Sequence, residues 1–247
     1  MKIAIFISGH VRTLFYKFHE NLDLIRKNIG LCDIDVYYSF WDDYSRSEVM
    51  NDNWHIKVDY DQPDISVESI NQYFLEHGVN HVEGEIESIN IMNEILNETP
   101  FLPERNGKNC LSSQYYKKFR VVEKYYSDKY DFYLTMRADV VINDFPLKDQ
   151  IESIVGNKSL VVNYNYWYNE PYANRDVNEM IWCSNNKVFE KSNQIYLNQD
   201  KLSKQLSYHY GELVTGTYFN NLLKDRDIEE ICVFDFKYRI MRLKFVS

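Results

Sequence analysis

The sequence predicts an α/β protein, in which helices flank a mixed, mainly parallel central sheet within a single domain. Three observations lead there. An apolar run, Ile3-Ala4-Ile5-Phe6-Ile7, ends in Ser8-Gly9-His10, the form of a buried strand followed by a loop in which glycine allows close backbone approach. Helical spacing over residues 13–28 then leads to a second apolar run at 34–40, the strand, helix, strand order of a right-handed parallel crossover. Finally, Tyr130-Asp131-Phe132-Tyr133-Leu134-Thr135-Met136-Arg137-Ala138-Asp139 is an apolar strand that runs into an Arg-x-Asp pair. Open α/β sheets hold their ligands at the carboxyl ends of their strands, so the residues that close these runs are the candidate site.

Each element has its own pattern. Residues 2–8 form the first strand. Leu14, Phe18, Leu22 and Ile25 recur at three- and four-residue spacing in the helix after it, with Thr13 as its N-cap. The second strand, 34–40, runs into Trp41-Asp42-Asp43. A weak strand is expected over 56–60, and a helix over 66–77 from the spacing of Ile70, Tyr73 and Phe74. Pro100, Pro103 and Gly107 make 99–109 a loop. Tyr115, Phe119, Val122 and Tyr126 share one face of a helix over 112–127, started by Ser112 or Ser113. It feeds the strand bearing Arg137 and Asp139, whose side chains share a face because successive strand residues alternate. Strands come next at 160–163 and 180–183, helices at 185–196 and 212–223, and a late strand at 231–236. No internal repeat is evident.

Composition bounds the rest. With 247 residues, 45% of them hydrophobic, the chain can build one sizeable core. No run approaches the roughly 18–20 apolar residues of a membrane span, and residues 3–7 are too short for a signal-peptide core, so the chain reads as cytoplasmic. Cys32, Cys110, Cys183 and Cys232 lie far apart without a C-x-x-C pair, the pattern of reduced thiols rather than of a zinc or redox motif. A net charge of -9 disfavours nucleic acid, which demands clustered basic charge. Only the C-terminus is basic: Lys237, Arg239, Arg242 and Lys244 alternate with apolar residues. That stretch reads either as a peripheral contact with an anionic membrane or as a last strand or helix with solvated charges.

The loop Gly9-His10-Val11-Arg12-Thr13 precedes a helix, where backbone N–H groups and the helix dipole favour a nucleotide's phosphates, although the G-x-x-x-x-G-K-[ST] phosphate loop is absent. A hard cation beside a diphosphate takes carboxylate oxygens, which Asp139 offers. An Arg and an Asp two apart on a strand also form ordinary salt bridges. Residues 164–172, Tyr-Asn-Tyr-Trp-Tyr-Asn-Glu-Pro-Tyr, present rings and amides suited to sugar, or else a tyrosine-rich loop packed on the core.

In their order along most of the chain these segments resemble small nucleotide-sugar-dependent glycosyltransferases of the GT-A type from viral and bacterial surface-glycan loci. Ile7-Ser8-Gly9-His10-Val11-Arg12-Thr13 looks like that family's opening strand and Gly-x-Val-Arg-Thr loop, and residues 35–42 like its second strand with a Trp-Asp end. Ser113-Gln114-Tyr115-Tyr116-Lys117 is similar to the helix before the metal-bearing strand, and residues 130–139 to the Tyr-Asp…Arg-Pro-Asp segment. Residues 178–184 resemble the Asn-Asp-x-Phe segment, and His209-Tyr210-Gly211-Glu212 a His-Pro-Glu motif. Ala138, Glu179 and Tyr210-Gly211 are the departures, standing where the family has proline, aspartate and proline.

The resemblance implies a GT-A-like, Rossmann-like domain over 1–247, with a nucleotide-binding half over about 1–142 and an acceptor-side half over about 143–247. It implies metal-dependent transfer of a sugar to a glycan or other saccharide acceptor. Asp139 would hold Mn²⁺ or Mg²⁺ on the donor diphosphate, with His209 either completing the shell or capping the following helix, and Glu179 would be the catalytic base if the enzyme inverts the anomeric centre. Ser8, Gly9, His10, Arg12, Trp41, Asp42, Ser113, Lys117 and Arg137 would bind the nucleotide. An inactive carbohydrate-binding relative and a nucleotidyltransferase are the rival readings, the latter with Asp42 and Asp43 as its acids.

Overall fold

A computed structural model describes residues 1–44, 55–58, 63–98, 111–155, 158–163, 180–206, 211–234 and 236–243. Ten strands and eight α-helices are described among them. The first strand, β1 (Lys2–His10), is followed by α1 (Leu14–Ile29) and β2 (Asp33–Trp41). Next come β3 (His55–Val58), α2 (Val67–Glu76), β4 (His81–Glu87), α3 (Ile89–Glu98) and α4 (Leu111–Tyr125). The chain continues through β5 (Phe132–Arg137), β6 (Val140–Ile142), α5 (Lys148–Val155), β7 (Ser159–Asn163) and β8 (Ile181–Ser184). It closes with α6 (Asn186–Ser192), α7 (Gln199–Gln205), α8 (Gly211–Lys224), β9 (Glu230–Phe234) and β10 (Tyr238–Leu243).

Seven strands form one sheet in the order β4-β2-β1-β5-β8-β7-β9. The β4-β2-β1-β5 half is parallel throughout; β8 runs antiparallel to both β5 and β7, and β9 returns parallel to β7. A mixed, mainly parallel sheet flanked by helices is what the sequence predicts. Its two sides are built from alternate residues of the same strands. Ile3, Ile5 and Ile7 pack with Leu14, Phe18, Leu22 and Ile25 of α1 in one cluster, while Ala4 and Phe6 pack with Val121 and Val122 of α4 in another. Each such fully buried aliphatic or aromatic side chain contributes about 1.5–3 kcal/mol.

The differences from expectation have local causes. β4 was not expected, because His-Val-Glu-Gly-Glu-Ile-Glu reads as polar; it is an edge strand whose glutamates face basic residues of α4, with Lys124 Nζ donating to Glu85 at 2.9 Å and Lys117 Nζ to Glu87 at 2.6 Å. Gly84 in β4 sits against the Tyr38 ring, where a Cβ would approach ring carbons to 2.4 Å. The helix expected over 185–196 stops at Ser192. Asn193 is buried there, donates to the Phe189 carbonyl at 2.9 Å and accepts from the Thr135 hydroxyl at 3.2 Å, a side-chain bonding pattern that competes with helix continuation. A 3-10 turn over Tyr196–Asn198 then leads into α7. α3, α5 and β6 are likewise additions.

Two expected starts differ in detail. Ser66 does cap α2, accepting from Ser69 N while Ser69 Oγ accepts from Ser66 N, a reciprocal box. Thr13 stands at the N-cap of α1 but makes no side-chain cap bond. The basic C-terminal stretch forms β10, paired with β3 and antiparallel to β6, with Ile240 buried and Arg239 exposed. No described helix is long and apolar enough to cross a membrane. The loop at 99–109 and the aromatic stretch at 164–172 lie outside the described residues.

Candidate functional site

Parallel register brings three strand ends together. Ser8 pairs with Ser39 of β2 and Arg137 of β5, and His10 with Trp41. Beyond these ends lies a cleft with about 350 Å³ of empty space, lined by Ser8, Gly9, His10, Arg12, Trp41, Ser113, Gln114, Arg137 and Asp139. This is the edge at which parallel sheets hold ligands.

The strand carrying Arg137 ends on that residue, so Asp139 lies in the turn before β6 rather than on the strand itself. The two side chains meet regardless. Arg137 donates from Nε to Asp139 Oδ1 at 2.9 Å and from Nη2 to Oδ2 at 2.7 Å, and Arg12 Nη1 stands 3.2 Å from Oδ2. Asp139 is wholly buried. Burial alone would raise its pKa, but the Arg137 and Arg12 guanidinium groups outweigh that and hold the carboxyl below the usual aspartate range.

Loop conformation aims these groups. Gly9 has φ 108°, a region that favours glycine, and a Cβ there would meet nothing within 4 Å, so the backbone faces open space. Arg12 also has a positive φ, 49°, which is uncommon for a residue with a side chain. Such strain persists only where the surroundings enforce it.

Three buried polar atoms of the cleft lining, Ser8 Oγ, His10 Nδ1 and Gln114 Nε2, have no hydrogen-bond partner among the described residues. His10 Nδ1 is 3.5 Å from Asp43 Oδ2, too long for more than a weak bond. Burial lowers the His10 pKa, and Arg12 and Arg137 add to this against the opposing pull of Asp43.

Of the residues singled out from the sequence, Ser8, Gly9, His10, Arg12, Trp41, Ser113, Arg137 and Asp139 are gathered in the cleft. Lys117 is not in the lining. It is fully buried behind Trp41, with Nζ 2.6 Å from Glu87 and 4.0 Å from the Trp41 ring centroid, and burial lowers its pKa. Asp42 Oδ1 accepts from Ile89 N at 2.7 Å and so caps the segment entering α3. Glu179 and His209 lie outside the described residues. Gln114 is the lining residue that sequence pattern did not single out for the site; its place beside Ser113 at the start of α4 was the available signal.

The described residues do not fit a divalent cation at Asp139. Both carboxylate oxygens are taken by guanidinium donors, and a cation there would stand beside two positive charges. No group of three His, Cys, Asp or Glu side chains able to hold a metal occurs among the described residues. A larger cleft between α6, α7 and α8, with about 570 Å³ of empty space, includes Lys191, Lys201, Asp225 and Asp227. None of the unpartnered buried atoms lines it.

No family model matches the chain, and no curated protein matches it in sequence. Solved structures do. The galactosyltransferase LgtC, in complex with donor and acceptor sugar analogs, is 11% identical, with 94% of this chain and 73% of that chain covered and a TM-score of 0.50. Mouse xyloside xylosyltransferase 1 in its apo form is 6% identical over 95% of this chain and 86% of that chain, with a TM-score of 0.48. At such identity the first of these establishes fold: the chain has a GT-A-type, Rossmann-like fold.

Proposed function

We propose that the chain transfers a glycosyl group from a nucleotide-sugar donor to a saccharide acceptor, with the donor's nucleotide and diphosphate seated in the cleft at the carboxyl ends of β1, β2 and β5. One observation carries this reading. In a GT-A-type fold, the strand ends converge two guanidinium groups with buried polar atoms, Ser8 Oγ and Gln114 Nε2 among them, that have no hydrogen bond among the described residues. An unsatisfied buried polar group costs about 1–3 kcal/mol, so a ligand rich in hydroxyl, amide and phosphate oxygen is stabilised there. The donor and acceptor analogs held by the galactosyltransferase of like fold support the same reading.

In the reaction, the bond from the anomeric carbon to the diphosphate oxygen breaks and its electron pair stays on the departing diphosphate. The acceptor hydroxyl oxygen bonds to that carbon and gives its proton to a base. Arg12 and Arg137 offset the charge that grows on the leaving group. Ser8, Gly9, His10, Gln114 and Trp41 hold the nucleotide. Glu179 is the base assigned on its sequence position.

The test is a thermal-shift screen of UDP-, GDP- and dTDP-sugars, followed by assay of the stabilising donor for slow hydrolysis without acceptor. One donor class raises the melting temperature by mass action and is hydrolysed. No shift with any donor overturns the reading, and a shift without hydrolysis or transfer makes the protein a binder rather than an enzyme.

A further inference from the structure

We propose that the donor's diphosphate is neutralised by the Arg12 and Arg137 guanidinium groups, aimed by Asp139, in place of a divalent cation. This rests on the reading of the cleft as a nucleotide-sugar site. It replaces the expected role of Asp139 as metal ligand with that of a positioning residue.

The geometry of one carboxylate carries it. Asp139 has two oxygens; Oδ1 accepts from Arg137 Nε, and Oδ2 from Arg137 Nη2 with Arg12 Nη1 at 3.2 Å. Nothing of the carboxylate is exposed. A metal ion would have to displace a two-pronged guanidinium contact inside a fully buried site, next to a second guanidinium. A guanidinium presents five N–H donors in a plane, a geometry that can face carboxylate on one edge and phosphate oxygen on another.

Loop conformation supports this independently. Arg12 is held at φ 49° between Gly9 and α1, a conformation an arginine on an ordinary surface loop does not need. That backbone brings its guanidinium to the β5–β6 turn, so a loop arginine and a strand-end arginine 125 positions apart in the chain (137 − 12) arrive at one carboxylate. Both line the cleft that also holds the unpartnered Ser8 and Gln114 atoms. A fixed pair of cations beside unsatisfied polar atoms is a seat for a polyanionic ligand. Arginine suits it because its charge is permanent and its fork matches phosphate oxygen.

Calorimetric titration of inorganic pyrophosphate, UDP, GDP and dTDP tests this in excess EDTA and in excess Mn²⁺. At least one nucleoside diphosphate binds in EDTA at least as tightly as in Mn²⁺. Arg12→Gln weakens it about tenfold or more in both conditions, the loss expected for a charged hydrogen bond. Arg137→Lys keeps the charge but loses the fork, and also weakens binding. Melting curves of each variant separate lost binding from lost folding, and Arg12→Lys restores part of the affinity if charge is what matters. Binding that appears only with Mn²⁺ overturns the arginine pair and leaves the glycosyltransferase reading standing. Absence of binding by every nucleotide in both conditions overturns both.

Discussion

Two buried ion clusters stand at neighbouring strand ends, and they differ in what they face. At the ends of β1 and β5, Arg12, Arg137 and Asp139 line an open cleft. At the ends of β2 and β4, Lys117 and Glu87 close on each other at 2.6 Å beneath Trp41, with Tyr116 stacked on that indole at 5.9 Å and its hydroxyl donating to Glu87 at 3.3 Å. The first cluster sets two guanidinium groups on one carboxylate at the wall of the cleft. The second joins Lys117 and Glu87 to a network with Glu85, Arg120 and Lys124 and ends against aromatic rings. Buried charge therefore does not by itself mark a site; charge that lines an open cleft does.

That contrast can be broken by substitution. Asp139→Ala has the largest effect, because it strands two desolvated guanidinium groups: urea unfolding at neutral pH shows a loss of about 3–5 kcal/mol. A loss under about 1 kcal/mol would mean that the cluster is hydrated. Gly9→Ala costs about 1–2 kcal/mol through its backbone alone, since open space surrounds the new methyl. Loss of ligand binding at full stability would instead assign Gly9's importance to close approach of a ligand.

Replacing the second cluster as a unit sharpens the difference from the other side. Lys117→Met with Glu87→Gln changes stability by about 1 kcal/mol or less in either direction, because a paired buried charge and an uncharged replacement of similar volume come out nearly even. Nucleoside diphosphate binding by that double variant stays at the wild-type level, and a large loss would return Lys117 to the site.

The smallest effect is a pH slope. The folded-state pKa of His10 lies below its ordinary 6.5, so the unfolded chain takes up the proton first as pH falls. Stability thus declines as pH drops through about 6.5, and His10→Gln removes that part of the slope. Asp139 acts lower: its folded pKa is depressed, so its contribution is complete above 3.8 and is lost only as pH falls through the folded value. Denaturation curves at pH 7 and 5.5 separate the two groups.

Much of the cleft was legible because it is made of strand endings. Apolar runs mark β1, β2 and β5, and parallel pairing forces the residues at the end of each run to the same edge, so Ser8, Gly9, His10, Trp41 and Arg137 could be gathered from pattern alone. Asp139 was legible as a neighbour of Arg137, but not as the partner of Arg12, a contact that depends on a positive φ no sequence pattern announces. Lys117 misled for a related reason. Helical spacing places it at the cleft end of α4, yet its partner sits on β4, an edge strand whose alternating glutamates concealed it. Gln114 was passed over although it adjoins Ser113, because an amide stands out only once it is seen buried without a bond among the described residues.

Trp41 turns this architecture into an optical instrument. Its indole forms part of the cleft wall while an ammonium group rests on the ring. An occupant of the cleft would alter the dielectric around that fluorophore, so the chain's own emission reports occupancy without a label, and Trp41→Phe identifies the share of signal that comes from this wall.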